Sequence, residues 1–222
     1  RCSHLDHIYH LWDGDYLIMP WSVYNSNGKL LQGTAGIANV VEDTTPQLGG
    51  NLDMQARLLV GNGGSTGIAI SANGEVTMAA QPAVFAFNAS NENNLTGNGT
   101  AATARLNTEV YDQNSDFASN TFTAPVTGRY HISACLAVSG MTTSATAFLV
   151  QLVTSNRTFV PVQGASVPAN GSYHWPLSVD ADMDANDTVY MRFYVYGMGS
   201  DTVDIRGDGS EVETFMTVRL VA

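Results

Sequence analysis

Residues Phe117–Val138, FASNTFTAPVTGRYHISACLAV, constrain the fold of this chain more than any other stretch. A short polar strand ends in Phe122-Thr123-Ala124-Pro125-Val126, and Thr127-Gly128 turn the chain. A strictly alternating strand follows, with Tyr130, Ile132, Ala134, Leu136 and Val138 on one face and His131, Ser133, Cys135 and Ala137 on the other. Alternation with a period of two over nine residues specifies a half-buried β-strand. Proline before the turn cannot donate to a ladder, and glycine supplies the backbone angle of the corner.

The remaining sequence extends this to an all-β chain. Asn, Thr, Ser, Gly and Ala fill the polar positions, which suits short strands and turns and suits long helices poorly. Hydrophobic residues are 44% of the 222, enough for a core. Lys29 is the only lysine, and with eight arginines against 20 acids the formal net charge is −11. No basic run could neutralise a phosphate backbone, so nucleic acid is not an expected partner, and neither is an anionic membrane. No apolar stretch is long enough to span a bilayer. Cys2 and Cys135 lie far apart, and the position of Cys135 inside the alternating strand implies a buried free thiol. The chain starts with Arg and lacks a secretory leader pattern, so a fragment or processed product is expected.

Three regions differ in texture. Residues 1–36, an attachment or shaft segment, place Tyr9, Trp12, Tyr16, Trp21 and Tyr24 among Asp and Gly, with hairpin turns expected at Trp12–Tyr16 and Asn25–Lys29. Residues 37–81 are rich in Gly and Asn, with apolar pieces such as Leu58–Val60 and Ile68–Ile70 too short to build a core alone. Three chains wound together could share such pieces in a stalk; a flexible linker is the plainer alternative. Residues 82–222 carry strand signals at Ala83–Asn88, Ala104–Tyr111, Asn120–Thr123, Arg129–Val138, Ala145–Thr154, Thr158–Val162, Tyr173–Val179, Thr188–Tyr196 and Thr214–Val221. About ten antiparallel strands at this spacing make a jelly-roll sandwich.

Residues 82–222 resemble the globular head of complement component C1q, of the tumour-necrosis-factor-like jelly-roll group. The resemblance is carried in order by Pro82–Phe87, Leu106–Asp112, Phe117, Thr121–Ile132, Asp187–Arg192 and Thr214–Leu220. It implies a homotrimer about a threefold axis, with the N-termini leading into a stalk. Val40–Met54, VVEDTTPQLGGNLDM, is similar to a segment of bacteriophage tail-fibre and other virion-fibre proteins, and Thr66–Met78 resembles the strand–turn–strand repeats of such shafts. No Gly-X-Y period precedes residue 82, so the collagen-like stalk of the complement family is missing, which favours the viral shaft. Together the resemblances imply an extracellular virion fibre whose C-terminal knob binds a host-surface glycan or protein, and whose N-terminal region meets other virion proteins. The alternatives are a head decoration or fibre joint without a receptor, a polysaccharide depolymerase, and a secreted recognition protein.

Receptor-facing residues are expected in three loops: Asn94 and Asn98 in Asn88–Thr100, Gln163 and Asn170 in Val162–Tyr173, and Asp201, Arg206 and Asp208 in Gly197–Gly209. Arg206-Gly207-Asp208 reads as a glycine turn. Asn88, Asn94, Asn98, Asn156, Asn170 and Asn186 open sequons that a chain this rich in Asn and Thr produces by chance. Cys2, His4, His7 and His10 have metal-like residue types, but read as an accidental cluster near the start of the chain. Asp180, Asp182, Asp184 and Asp187 read as a solvated acidic strand end, because an EF-hand would need Gly and Glu where Ala185 and Met191 stand. Some complement heads bind calcium through acids in the loop matching Phe159–Ser172, and that stretch holds none here. His131 and His174 have no evident Ser or Asp partner, no nucleophile elbow, HExxH, P-loop or GxGxxG motif is present, and neither an enzyme nor a cofactor is expected.

Overall fold

The computed structural model describes residues 67–222, together with the backbone of three short strands before them. The chain divides into two compact units, residues 1–53 and 54–222. In the first, β1 (Tyr16–Met19) pairs antiparallel with β2 (Ser22–Asn25). The turns expected at Trp12–Tyr16 and Asn25–Lys29, the Cys2/His cluster and the 36/37 boundary lie outside the described residues.

The second unit opens with a three-stranded meander, β3 (Leu59–Val60), β4 (Gly67–Ile70) and β5 (Val76–Met78). The strand–turn–strand expected over Thr66–Met78 is present: β4 and β5 pair from Ile68↔Met78 to Ile70↔Val76, and the Ser71 hydroxyl and Glu75 carboxylate close the turn. Side-chain amides of Gln113 and Asn114 donate to the carbonyls of Ala79 and Ala80 just beyond the meander.

From Ala83 onward two antiparallel sheets face each other, and the architecture is an all-β jelly-roll sandwich. A seven-stranded sheet contains β6 (Ala83–Phe87), β7 (Ser90–Thr96), β9 (Thr108–Asp112), β12 (Gly128–Met141), β15 (Gly171–Met183), β17 (Val203–Asp208) and β18 (Phe215–Leu220). A six-stranded sheet contains β8 (Ala102–Thr103), β10 (Phe117–Ala118), β11 (Thr121–Thr123), β13 (Ala147–Thr154), β14 (Thr158–Gly164) and β16 (Thr188–Tyr196). These exceed the ten or so strands expected, because β7, β17 and the two-residue strands β8 and β10 fall where the sequence reads as loop. Ser90–Thr96 is nearly all polar and sits on a sheet edge, where exposed polar residues keep an open ladder from pairing with other chains. The Ala104–Tyr111 strand is also corrected: pairing stops after Thr103 and resumes at Thr108.

The alternation that predicts β12 is the alternation observed. Tyr130, Ile132, Ala134, Leu136 and Val138 are at most 2% exposed and meet Phe122, Val150, Leu152, Met191 and Phe193 from the facing sheet. Phe122 and Tyr130 pack with ring centroids 5.5 Å apart, and the Tyr130 hydroxyl donates to the Val126 carbonyl at 2.7 Å, so the buried phenol keeps a partner. Cys135 is free but only half-buried, because its phase of the strand points away from the sandwich.

Along one edge β12 pairs with β15 from Gly128↔Met183 to Met141↔Gly171. Along the other it pairs with β18 over Tyr130–Cys135 and with β17 at Val138–Ser139. Between those two partners Ala137 has no facing strand. The fully buried Thr214 fills the gap: its hydroxyl accepts from the Ala137 amide at 3.1 Å and donates to the Ala137 carbonyl at 3.3 Å. Gly140, at φ +77°, lets the strand bulge just beyond.

Thr214→Val keeps the shape and removes the hydroxyl, leaving a buried amide and carbonyl unmatched. It is expected to destabilise the protein by about 1–3 kcal/mol in urea unfolding at fixed protein concentration. A Thr214→Val protein as stable as the parent would show that the hydroxyl does not carry the handover.

Candidate functional site

The sandwich has two ends, and loops gather at both. At one end lie residues 97–101, 142–146, 165–170 and 197–202. Here the structure unites two of the expected residues. The Asp201 carboxylate accepts from the Asn98 amide at 2.9 Å and from the Thr100 hydroxyl at 2.7 Å. The Thr100 bond, then the Asn98 bond, holds the Asp201 carboxyl below the ordinary carboxylate range. Asn170 belongs to the same end, its side-chain oxygen accepting from the Thr143 amide at 2.9 Å.

Four other expected residues are not in end loops. Asn94 is in β7, at φ +59°, with its amide donating to Asp204 at 2.7 Å. Gln163 is in β14 opposite Leu149. Arg206 is in β17 and forks onto Glu213, at 2.9 Å from Nε and 2.7 Å from a terminal nitrogen. Asp208 ends β17, its carboxylate accepting from the Ser210 and Glu211 amides at 2.6 and 3.1 Å. The glycine turn read at Arg206-Gly207-Asp208 is therefore strand, with the Gly207 amide bound to the Asn91 side chain at 2.9 Å. Polar residues on an edge strand lack the apolar alternation that marks buried ones, which is why three loops appear longer in the sequence than in the fold.

The acidic strand end is real, and its members have partners. Asp180 meets His131 at 2.7 Å, Asp182 meets Arg157 at 3.1 Å, and Asp187 accepts from Asn156 at 2.6 Å. A cleft of about 270 Å³ opens there, lined in part by Arg129, Asn156, Asp182 and Asp184. His131 is not partnerless as expected: Nδ1 faces Asp180, and Nε2 lies 3.4 Å from the Ser178 hydroxyl. The pairing follows from the β12–β15 register, which sets His131 opposite Asp180 and Ser133 opposite Ser178. This Ser–His–Asp row lies on an outer sheet face with Asp180 70% exposed, where water screens the carboxylate. His174, also expected alone, is 3.7 Å from Glu213.

Both outer sheet faces carry aromatic residues outside the loops. On the seven-stranded sheet, Phe85 packs edge-on against Tyr111 at 6.2 Å and Phe215 at 5.7 Å, with Val110 and Tyr111 55% and 46% exposed. On the six-stranded sheet, β16 presents Tyr190, Arg192, Tyr194 and Tyr196 outward while Val189, Met191, Phe193 and Val195 are buried. Strict alternation with aromatics in the polar phase is the signal that marks this row in the sequence. At the open side of the sandwich, Phe148, Trp175 and Tyr173 stack, with successive centroids at 4.8 and 6.1 Å.

Charge is divided between the sheets. No strand of the six-stranded sheet contains Asp or Glu, and Arg192 is their one charged residue. The seven-stranded sheet carries Glu92, Glu109, Asp112, Asp180, Asp182, Asp204 and Asp208 against Arg129, Arg206 and Arg219, an excess of acid.

No model of a known protein family matches the sequence, and no curated protein matches it. Among solved structures the chain is similar to the globular domain of zebrafish complement 1qA protein, at 13% identity and a TM-score of 0.45, over 64% of this chain and 98% of that one. It is similar also to murine APRIL in structures at pH 5.0 and pH 8.5, at 8% and 7% identity and TM-scores of 0.44 and 0.43. Each covers 64% of this chain and 99% of the other.

The Asp201 clasp has a defined pH response. A carboxyl whose folded pKa is depressed contributes above its unfolded value and is lost as pH falls through the folded one. Exchange protection of the Asn98 amide is therefore expected to persist down to the ordinary carboxylate range and to fall only as pH drops further, through the depressed value of Asp201. In Asp201→Asn that amide should show no such step, and a step of the same size in the variant would remove Asp201 as its cause.

Proposed function

We propose that this chain is a homotrimeric virion fibre protein whose C-terminal head binds a receptor on a host cell surface, and that it works by binding rather than by catalysis. The observation that carries the assembly is apolar surface left bare on a single copy. Ile68, Ile70, Val76 and Met78 of the meander are 39–60% exposed, and Val110 and Tyr111 with half-buried Phe85 and Phe215 form an open patch on the head. Contiguous apolar surface of this kind marks an interface. The Phe148–Trp175–Tyr173 stack, half-buried against the core, leaves a second and different apolar edge on the same chain. Two unlike surfaces that match across copies form a heterologous interface, which closes into a ring when the rotation permits.

The number three and the viral setting come from the sequence: the complement-head pattern over 82–222 and the fibre-like Val40–Met54 and Thr66–Met78 segments. In this reading residues 1–36 meet other virion proteins. The head presents the Asn98–Asp201 and Asn170 loops outward, and weak single contacts are multiplied by three copies on each fibre.

Sedimentation of the full chain is expected to give about three times the 23.6 kDa monomer mass at micromolar concentration. Val110→Glu with Tyr111→Glu, which puts charge on the bare patch, should weaken assembly at least about tenfold. A parent chain that stays monomeric at about 50 µM, a concentration well above the dissociation constant of a stable assembly, would end the trimer reading. For the receptor, soluble full-length chain should compete with particles carrying it for adsorption to host cells; adsorption unchanged by saturating chain would count against receptor binding.

A further inference from the structure

We propose that the outer face of the six-stranded sheet binds an acidic polysaccharide, with Arg192 receiving a sugar carboxylate and the flanking tyrosines contacting the sugar rings. This rests on the receptor-binding reading above and names the chemistry of the receptor. The first support is electrostatic. On a chain of net charge −11, a polyanion is repelled by most of the surface. The strands of this sheet are free of carboxylates, and their single charge is positive. The nearest carboxylates, Asp187 and Asp201, lie at the rims of the sheet, where they keep their charge and accept hydrogen bonds from Asn156 and from Asn98 and Thr100.

The second support is how Arg192 is held. Its Nε donates to the Gln151 side chain at 3.0 Å, and its guanidinium carbon lies 5.5 Å from the Tyr194 ring centroid. Among the described residues it has no carboxylate partner. Arg105, Arg157 and Arg206 are each paired with an acid; Arg129 and Arg219 are not, but they stand on the seven-stranded sheet among its carboxylates, so Arg192 is the one uncompensated arginine on the carboxylate-free sheet. A guanidinium fixed through Nε still offers two terminal nitrogens in a fork that fits a carboxylate.

The third support is the tyrosine row. Tyr194 and Tyr196 lie near-parallel with centroids 6.1 Å apart, and Tyr190 continues the row beyond Arg192. The Tyr196 ring rests against Gly99, where a Cβ would come within 2.8 Å of it, so the close approach requires glycine at that position. Tyrosine offers large contact area at small entropic cost, together with a hydroxyl for hydrogen bonding. A neutral, aromatic, hydroxyl-bearing face with one fixed cation fits a uronic or sialic acid polymer better than it fits a protein patch.

The test uses the full chain against polygalacturonate, alginate and polysialate, each intact and after carboxyl reduction, by calorimetry at low salt. At least one intact polymer is expected to bind, with affinity lowered about tenfold or more by carboxyl reduction, as for loss of a charge-assisted pair. Arg192→Gln should show a similar loss and Tyr194→Ala a smaller one. Arg129→Gln, which removes an exposed cation of the seven-stranded sheet, should bind as the parent does. Near-ultraviolet circular dichroism checks that each variant is folded, and Arg192→Lys, which keeps charge without the fork, should fall between parent and Arg192→Gln. No binding to any of the three polymers overturns the proposal, as does an equal loss in the Arg129 and Arg192 variants. If the chain competes for cell adsorption yet binds none of the polymers, the sheet face fails and receptor binding stands. If Arg192-dependent polymer binding is found without competition, the sheet face stands and the receptor reading fails.

Discussion

The structure depends on β12 being paired along both edges, and on the Thr214 hydroxyl that keeps the second edge closed. A 14-residue strand has more length than β18 alone can match. The ladder is continued by a second strand, β17, and the changeover would leave buried polar backbone at Ala137 without the side chain of Thr214. Burying an unpaired amide and carbonyl costs more than a typical hydrogen bond returns. That one residue therefore allows two strands to share an edge and lets the segment between β17 and β18 leave the sheet. The Arg206–Glu213 fork then ties the segment back to β17.

Because β12 is fixed on both sides, everything that pairs with it inherits its register. Setting His131 opposite Asp180, and Arg129 opposite Asp182, puts the acids of β15 on the outside, where they meet His131 and Arg157 instead of the core. A shift of one residue would turn Tyr130 and Ile132 outward and carry His131 into an apolar interior. The bulge at Gly140 ends the regular ladder at the level of the Thr202–Val203 chain, next to the loops that hold Asp201. The rigid strand and the clasped loop are parts of one arrangement.

How far the sequence announces this depends on what each residue faces. Strands with one buried face, such as β12, β13 and β16, show alternation because burial acts on every second side chain, and they are where the sequence places them. β7 and the outer half of β17 are held by backbone pairing more than by burial, so SNENNLT and the Arg206-Gly207-Asp208 segment carry no such signature. The Asn98–Asp201 clasp joins residues 103 apart, and Thr214 answers to Ala137 from 77 away; neither can be read from local pattern. The same holds for the His131–Ser178–Asp180 row, which only register creates.

The uneven distribution of charge has a consequence for assembly and recognition together. If the bare Phe85–Tyr111–Phe215 patch is covered by other copies, the acids of the seven-stranded sheet are drawn toward the inside or rim of the assembly, and the six-stranded sheet becomes its outward wall. The repulsion among those acids would then be offset by pairs such as Arg157–Asp182 and Arg206–Glu213, each weak when exposed but less screened once water is excluded. With the carboxylates off the outer wall, a strongly acidic protein would be able to approach an acidic surface, since at distances beyond about 8 Å in physiological salt only the nearest face is felt. Copies related by symmetry would present three such walls, each with one Arg192. Affinity for a repeating polymer would then come from repetition more than from the strength of any single contact.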